Sequence, residues 1–153
     1  MEGFIWLVIA TFLFCYKKTR KASICSYAAL NIVLIGNEVI LKHLINRTRP
    51  FEAVKGLVTL IEHPSSSSFP SRHTSSAFAA VVVLWALLPR KFSIPALVLA
   101  GLISFSRLYV GVHYPTDILG GMAIGLIYGF WGLIFGNLIV DKSKKVFEKR
   151  LVG

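Results

Sequence analysis

Charged residues are scarce in this chain. Only 16% of its 153 residues are charged and 55% are hydrophobic, and the mean hydropathy is +0.68. These values lie outside the range of soluble globular proteins. The chain also has few polar interruptions within its apolar runs, several of which approach the roughly 20 residues that cross a bilayer. The composition therefore favours an integral membrane protein over a soluble protein with a large core.

Cysteine is almost absent, and so is strand-like alternation. The two cysteines, Cys15 and Cys25, lie in or next to apolar segments, which argues against a disulfide framework and a thiolate metal site. No apolar segment shows the period of two that is typical of a membrane barrel. Because only helices and closed barrels satisfy every backbone amide within a bilayer, each apolar segment is predicted to be a helix.

The apolar segments number five and predict an all-α, polytopic membrane bundle of about five transmembrane helices. We treat the whole chain, 1–153, as a single domain. In the last segment Gly121, Gly125 and Gly129 recur every four residues, which predicts close packing of a neighbouring helix. The serine run 65–68 is predicted to be a flexible loop. The segments cover residues 4–16, 22–41, 75–89, 93–111 and 116–140.

Polar side chains interrupt the second apolar segment. Asn31, Asn37 and Glu38 are expected to face the interior of the bundle, where polar groups in a membrane find partners. Glu38 precedes Lys42 by four residues, so it can pair with that lysine on one helix face. Hydrogen bonding to another helix is an equally good interpretation.

Acidic residues are few: the chain has 7 against 17 basic residues, a formal net charge of +10. The basic residues cluster beside the apolar runs, which indicates membrane topology and not nucleic-acid binding. With five spans, 11 of the 17 fall on one face, which the positive-inside rule predicts to be cytoplasmic. These are Lys17, Lys18, Arg20, Lys21, Arg90, Lys91, Lys142, Lys144, Lys145, Lys149 and Arg150.

The opposite, extracytoplasmic face carries polar clusters that topology does not explain. Several cations at helix ends, with the free amides of the helix that begins after "FPSRH", predict an anion site suited to phosphate. A divalent metal is disfavoured because Asp117 is the only carboxylate in the clusters. The clusters are "KHLINRTRP" with Lys42 and Arg49, "FPSRH" with Ser71, Arg72 and His73, and "SRLYVGVHYPTD" with Arg107, His113 and Asp117.

Two histidines beside a phosphate site can divide the work of hydrolysis. One neutral imidazole can attack phosphorus while the other protonates the departing oxygen. In "HYPTD", Pro115 is placed to begin a helix and Asp117 lies in its first turn. The Asp117 carboxylate can therefore hold one nitrogen of His113 while the other nitrogen faces the substrate.

The three clusters resemble the three-part signature of the type 2 phosphatidic acid phosphatase superfamily, the lipid phosphate phosphatases related to vanadium haloperoxidases. That signature reads K-x6-R-P, then P-S-G-H, then S-R-x5-H-x3-D. The match runs from 42 to 117, with the first and third parts complete. In the second part, Arg72 replaces the glycine of the family.

The resemblance implies a role for each residue of the site. His113 would be the nucleophile that forms a phosphohistidine, Asp117 its partner, and His73 the acid for the leaving group. The phosphate would be bound without metal or other cofactor by Lys42, Arg49, Ser71 and Arg107. Arg72 would either point away or contact a second phosphate. His43 and His63 match nothing in the signature and are predicted to be bystanders.

The resemblance implies a membrane phosphatase that acts on a lipid phosphate or diphosphate outside the cytoplasm, with membrane lipids as its surroundings and no nucleic-acid partner. The substrate alternatives are undecaprenyl diphosphate and phosphatidate or phosphatidylglycerophosphate. Alternative functions are a lipid phosphotransferase with the same site, or a small transporter or lipid-binding protein. Family members usually have six spans, so five spans lead us to expect that an initial helix is missing or that the true start lies upstream.

Overall fold

The computed structural model describes residues 4–152, and the side chains of residues 4–146 and 148. Every regular element in that range is helical, which confirms the predicted all-α fold. The elements are α1 (Phe4–Cys15), α2 (Arg20–Val33), a π-helical stretch (Leu34–Leu41), α3 (Lys42–Ile45), α4 (Pro50–Ala53), α5 (Arg72–Leu87), α6 (Arg90–Tyr109) and α7 (Pro115–Val152).

The helices correspond to the predicted apolar segments, with one difference in length. The last helix continues to Val152, beyond the predicted end at residue 140. Residues 141–152 contain neither glycine nor proline, so the helix continues although the apolar run has ended. Three helical segments are long and apolar enough to cross a membrane: Arg20–Ala53, Arg90–Tyr109 and Pro115–Val146. The apolar helices α1 and α5 are shorter, with 12 and 16 residues.

Helix α5 lies at the centre of the bundle. It packs against α2, α6 and α7, and ten of its 16 residues are buried. Many of these are small, including Ala77, Ala79 and Ala80. Small side chains let the backbones of neighbouring helices approach closely. Close packing of this kind holds helices together in a membrane, because the lipid is as apolar as the side chains and burying them gives no hydrophobic gain.

The glycines of α7 form the contact with α5, as the sequence predicts. A Cβ on Gly125 would lie 2.5 Å from the carbonyl oxygen of Ser75, and one on Gly129 would lie 2.7 Å from that of Ala79. Gly121 faces the carbonyl oxygen of Ser71 at 2.9 Å in the same way. Any side chain at these positions would push the two backbones apart.

The same helix also approaches α2 through glycines that the sequence analysis did not single out. A Cβ on Gly136 would meet Cys25, and one on Gly132 would meet Ala29. Cys25 is fully buried in this contact, as expected of a small apolar residue in an apolar segment. The same expectation for Cys15 is wrong, because Cys15 is exposed. Helix α7 therefore packs against two neighbours along successive parts of its length.

The second span contains a feature that its apolar pattern does not predict, a π-helical stretch from Leu34 to Leu41. Such stretches are uncommon and often lie near functional sites. Asn37 in this stretch is fully buried, as expected. The expectation for Asn31 is wrong, because its side chain is exposed and its amide donates to the carbonyl oxygen of Tyr27 in the same helix. A bond within the helix satisfies this polar group without an interior partner.

The chain direction brings four helix ends to the same end of the bundle. The π-helical stretch and α3 end the second span there, and α6 also ends there. Helices α5 and α7 begin there. The loop 54–71 connects α4 to α5 across this end of the bundle. All three polar clusters lie in these segments.

Candidate active site

A pocket at this end of the bundle brings the three clusters together. Cationic and imidazole side chains from four different helix ends surround it, although the outermost are 71 positions apart in the sequence. Loop residues Ile61 and Pro64 close one side, and Val112 lies beside His113. The predicted site residues that line the pocket are Lys42, Arg49, Arg72, His73, Arg107 and His113.

The other two predicted residues, Ser71 and Asp117, are fully buried beside the pocket. Ser71 is the N-cap of α5, and its backbone N–H donates to the carbonyl oxygen of Asp117 at 3.2 Å. Its hydroxyl accepts a hydrogen bond from the hydroxyl of Thr74 at 3.1 Å. The start of α5 is thus bonded directly to the start of α7, which fixes the second cluster against the third.

His113 is positioned by Asp117, as the spacing predicts. His113 lies in the short loop before α7, and its Nδ1 is 3.4 Å from Oδ2 of Asp117 in the first turn of that helix. The same carboxylate oxygen accepts the backbone N–H of Tyr114 at 2.9 Å. A carboxylate fixed in this way favours the imidazole tautomer that carries its proton on Nδ1, which leaves Nε2 without a proton.

The surroundings of His113 favour its neutral form. Burial lowers the pKa of His113 below its ordinary value of 6.5, and the hydrogen bond that His113 donates to Asp117 opposes this shift only in part. The cations Arg49 and Lys42 lower the pKa further. A neutral imidazole is the form that can attack phosphorus, so this histidine is suited to act near neutral pH.

Lys42 is buried and bonded on two sides. Its Nζ lies 2.6 Å from Oε1 of Glu38, one turn earlier in the chain, which confirms the predicted pair. The ammonium also donates to the hydroxyl of Ser66 at 2.9 Å. These two contacts hold the long side chain in place, so that its ammonium group lies at the wall of the pocket.

Arg49 is buried beside the pocket and binds the surrounding backbone. Its Nε donates to the carbonyl oxygen of Ser66 at 2.7 Å, and one terminal nitrogen donates to that of Val112 at 3.0 Å. The guanidinium therefore ties the loop 54–71 to the loop that carries His113. Arg107 lines the same pocket from the end of α6, and its Nε donates to the hydroxyl of Ser106 at 3.1 Å.

The serine run is a loop, as predicted, but three of its side chains are bound at the site and are not free to move. Ser68 is fully buried, and its hydroxyl donates to Oδ2 of Asp117 at 2.5 Å. Ser66 binds Lys42 and Arg49, and the hydroxyl of Ser67 accepts the backbone N–H of Arg47 at 2.9 Å. Nothing local in a run of serines distinguishes these contacts, because every partner is distant in sequence.

Arg47 is a further residue to which sequence reasoning assigned no role in the site. Its guanidinium donates to Oδ1 of Asp117 at 2.8 Å and to the hydroxyl of Thr116 at 2.7 Å. It also lies over the ring of Tyr114, 4.1 Å from the centroid. Arg47 thus binds the carboxylate oxygen that does not face His113. Two signals were available: Arg47 falls on the face whose cations topology does not explain, and it lies two residues before Arg49.

His43 and His63 lie apart from the pocket lining. Both side chains are exposed. The ring of His63 stacks on that of Phe51, with centroids 4.2 Å apart. This arrangement agrees with the prediction that they are bystanders.

Comparisons with known proteins agree with the motifs. The model of the PAP2 superfamily matches residues 20–139. An undecaprenyl-diphosphatase of Sulfolobus acidocaldarius is 32% identical over 80% of this chain and 59% of its own length, so this chain spans less than two thirds of that relative. The undecaprenyl-diphosphatase BcrC of Bacillus subtilis is 32% identical over 93% of this chain and 74% of its own length.

A solved structure agrees as well. The transmembrane PAP2 type phosphatidylglycerolphosphate phosphatase from Bacillus subtilis superimposes with a TM-score of 0.64 at 31% identity, covering 88% of this chain and 68% of that one. The family match over residues 20–139 spans all three motifs and most of the helices that carry them. The resemblance drawn from the motifs is thus confirmed, and the chain belongs to the PAP2 superfamily.

Proposed function

We propose that this protein is a membrane phosphatase that removes the terminal phosphate of a lipid phosphate or diphosphate through a phosphohistidine on His113. The observation that carries the proposal is the buried His113–Asp117 pair, which opens into a pocket surrounded by cations from four helix ends. Relatives named as undecaprenyl-diphosphatases and a phosphatidylglycerolphosphate phosphatase support the lipid class of substrate.

The first chemical step is attack by His113. Its Nε2 would form a bond to phosphorus while Nδ1–H donates to Asp117, which stabilises the charge that develops on the ring. Burial and the charge of Arg107 lower the pKa of His73 to about 3, and a bound phosphate anion would raise this pKa again, so that His73 enters the step protonated. The bond from phosphorus to the leaving oxygen breaks, and that oxygen takes the proton from His73. Lys42, Arg49 and Arg107 would bind the phosphoryl oxygens, with Ser71 and the first amides of α5 completing the anion site.

The second step would release phosphate. His73, now neutral, can take a proton from water as the water oxygen attacks the phosphohistidine. The bond between phosphorus and Nε2 breaks, and its electron pair returns to His113. If a lipid alcohol took the place of water, the protein would be a phosphotransferase, and product analysis distinguishes the two reactions.

We propose that no metal is needed, on grounds of charge. The pocket is lined by Lys42, Arg49, Arg72 and Arg107, which supply the positive charge that a divalent ion provides in metal-dependent phosphatases. A cation placed among them would also be repelled. The basic clusters at the opposite helix ends support placing the site outside the cytoplasm.

Phosphate release from purified protein tests this function. The panel contains undecaprenyl diphosphate, undecaprenyl phosphate, phosphatidylglycerophosphate and phosphatidate, each with and without EDTA. We expect release that chelation leaves unchanged and that His113→Ala abolishes. His43→Ala is the matched control, since His43 is an exposed histidine at the same end of the bundle. Release that requires added magnesium would contradict the metal-free mechanism, and release from no member of the panel would overturn the function.

A further inference from the structure

Arg72 lies between two neighbouring cavities. It lines the phosphate pocket and also a neighbouring cleft between α1, α2 and α5. The cleft is mainly apolar, and it meets the pocket at Arg72. Its other lining residues are Leu7, Leu30, Asn31, Val33, Leu34 and Ser76.

A carboxylate links Arg72 to the phosphate-binding lysine. Oε1 of Glu38 lies 2.6 Å from Nζ of Lys42, and Oε2 lies 3.5 Å from a terminal nitrogen of Arg72. Glu38 belongs to the π-helical stretch, whereas Arg72 is in the first turn of α5. One carboxylate shared by two cations leaves a net positive charge, so this edge of the pocket can still bind an anion.

The order of these groups suggests how a lipid diphosphate would lie. Its terminal phosphate would be at His113, and its apolar chain would leave through the cleft. The phosphate that links the terminal phosphate to the apolar chain would then lie between His113 and the cleft, where Arg72 is. A guanidinium binds two oxygens of a phosphate at once, which a glycine at this position could not do.

We propose, resting on the function proposed above, that Arg72 is a specificity-determining residue that binds the lipid-side phosphate of a diphosphate substrate, and that Glu38 is its positioning residue. When His113 bonds to the terminal phosphorus, the bond to the bridging oxygen breaks. The electron pair stays on the lipid monophosphate, which takes a proton from His73. Arg72 stabilises the negative charge on this leaving group. A lipid monophosphate has no second phosphate at that place.

The test compares two substrates that share one chain, undecaprenyl diphosphate and undecaprenyl phosphate. Arg72→Gly should lower kcat/KM for the diphosphate by about 10- to 100-fold, the usual effect of a lost hydrogen bond to a charged group. It should lower kcat/KM for the monophosphate by less than about 3-fold. Arg72→Lys should lie between wild type and Arg72→Gly, since it keeps the charge without the bidentate geometry. Lys55→Gly, at an exposed lysine in the loop 54–71, is the control for general loss of surface charge.

Glu38 is tested through the same ratio of the two kcat/KM values. Glu38→Gln should lower kcat/KM for both substrates because Glu38 also pairs with Lys42. It should in addition reduce the preference for diphosphate in wild type but not in the Arg72→Gly background, because its effect on that preference acts through Arg72. A purely structural role would lower both substrates equally in both backgrounds.

The outcomes separate this inference from the function on which it rests. If the protein hydrolyses neither of these two substrates and none of the other lipid phosphates, the proposed function is wrong. Hydrolysis of both with a ratio that Arg72→Gly does not change, or of the monophosphate alone, would overturn only the role of Arg72. Melting temperatures in detergent identify any variant that fails to fold. If Arg72→Gly fails, the ratio of the two kcat/KM values in Arg72→Lys tests the role of Arg72.

Discussion

At the scale of single residues, Asp117 is bound from every side. His113, Ser68, Arg47 and the backbone of Tyr114 all contact its carboxylate. Such a carboxylate stays ionised and fixed in direction, which is what an orienting partner of a nucleophilic histidine requires. Residues that never touch substrate can therefore affect turnover through Asp117.

Ser68 gives the sharpest test of this arrangement. Ser68→Ala removes the hydroxyl that donates to Oδ2 of Asp117, so we expect kcat to fall by roughly 10- to 100-fold with little change in KM. Ser65→Ala is the matched control, because Ser65 is an exposed member of the same serine run. Equal kcat values for the two variants would show that the bond to Asp117 does not contribute to turnover.

The pH dependence of turnover follows from His113. Its pKa is lowered by burial, and only the neutral ring can attack phosphorus. Activity should therefore fall as the pH drops through the folded-state pKa, with a midpoint below the ordinary value of 6.5. The acid limb of kcat/KM against pH measures this midpoint. A midpoint at or above 7 would contradict the environment described for His113.

At the scale of elements, the α5–α7 contact determines whether the site can assemble. A side chain at Gly125 would meet backbone atoms of Ser75. We expect Gly125→Val to destabilise the protein by about 1–3 kcal/mol or more, because two backbones must move apart. Gly101→Ala is the control, since a Cβ at Gly101 in α6 meets nothing within 4 Å. Melting temperatures in detergent compare the two, and equal values would contradict this account of the packing.

The elements also show what sequence could and could not predict. The spans were predictable because apolarity and length are local properties, and the three motifs were predictable because their residues lie at helix ends. The contacts of the serine run were not, since Ser68 and Asp117 are 49 positions apart. Arg47 and Asp117 are 70 apart. The π-helical stretch was missed because its apolar pattern does not differ from that of an α-helix.

At the scale of the whole molecule, we propose that the basic clusters set the orientation in the membrane. We expect the pocket to face outward and the end of α7 to be cytoplasmic. In a background with Cys15 and Cys25 replaced by alanine, a membrane-impermeant thiol reagent should label Ser65→Cys in intact cells. It should label Lys144→Cys only after the cells are opened. The reverse pattern would place the site inside the cytoplasm.

The role that we propose for His113 is to carry the phosphoryl group during turnover. Rapid quenching of the protein with substrate labelled in its terminal phosphate measures this directly, because a phosphohistidine resists alkali and is hydrolysed by acid. The account predicts one alkali-stable, acid-labile label on a peptide that contains His113, present in His43→Ala and absent in His113→Ala. Full turnover without such a label, or a label that persists in folded His113→Ala protein, would contradict it.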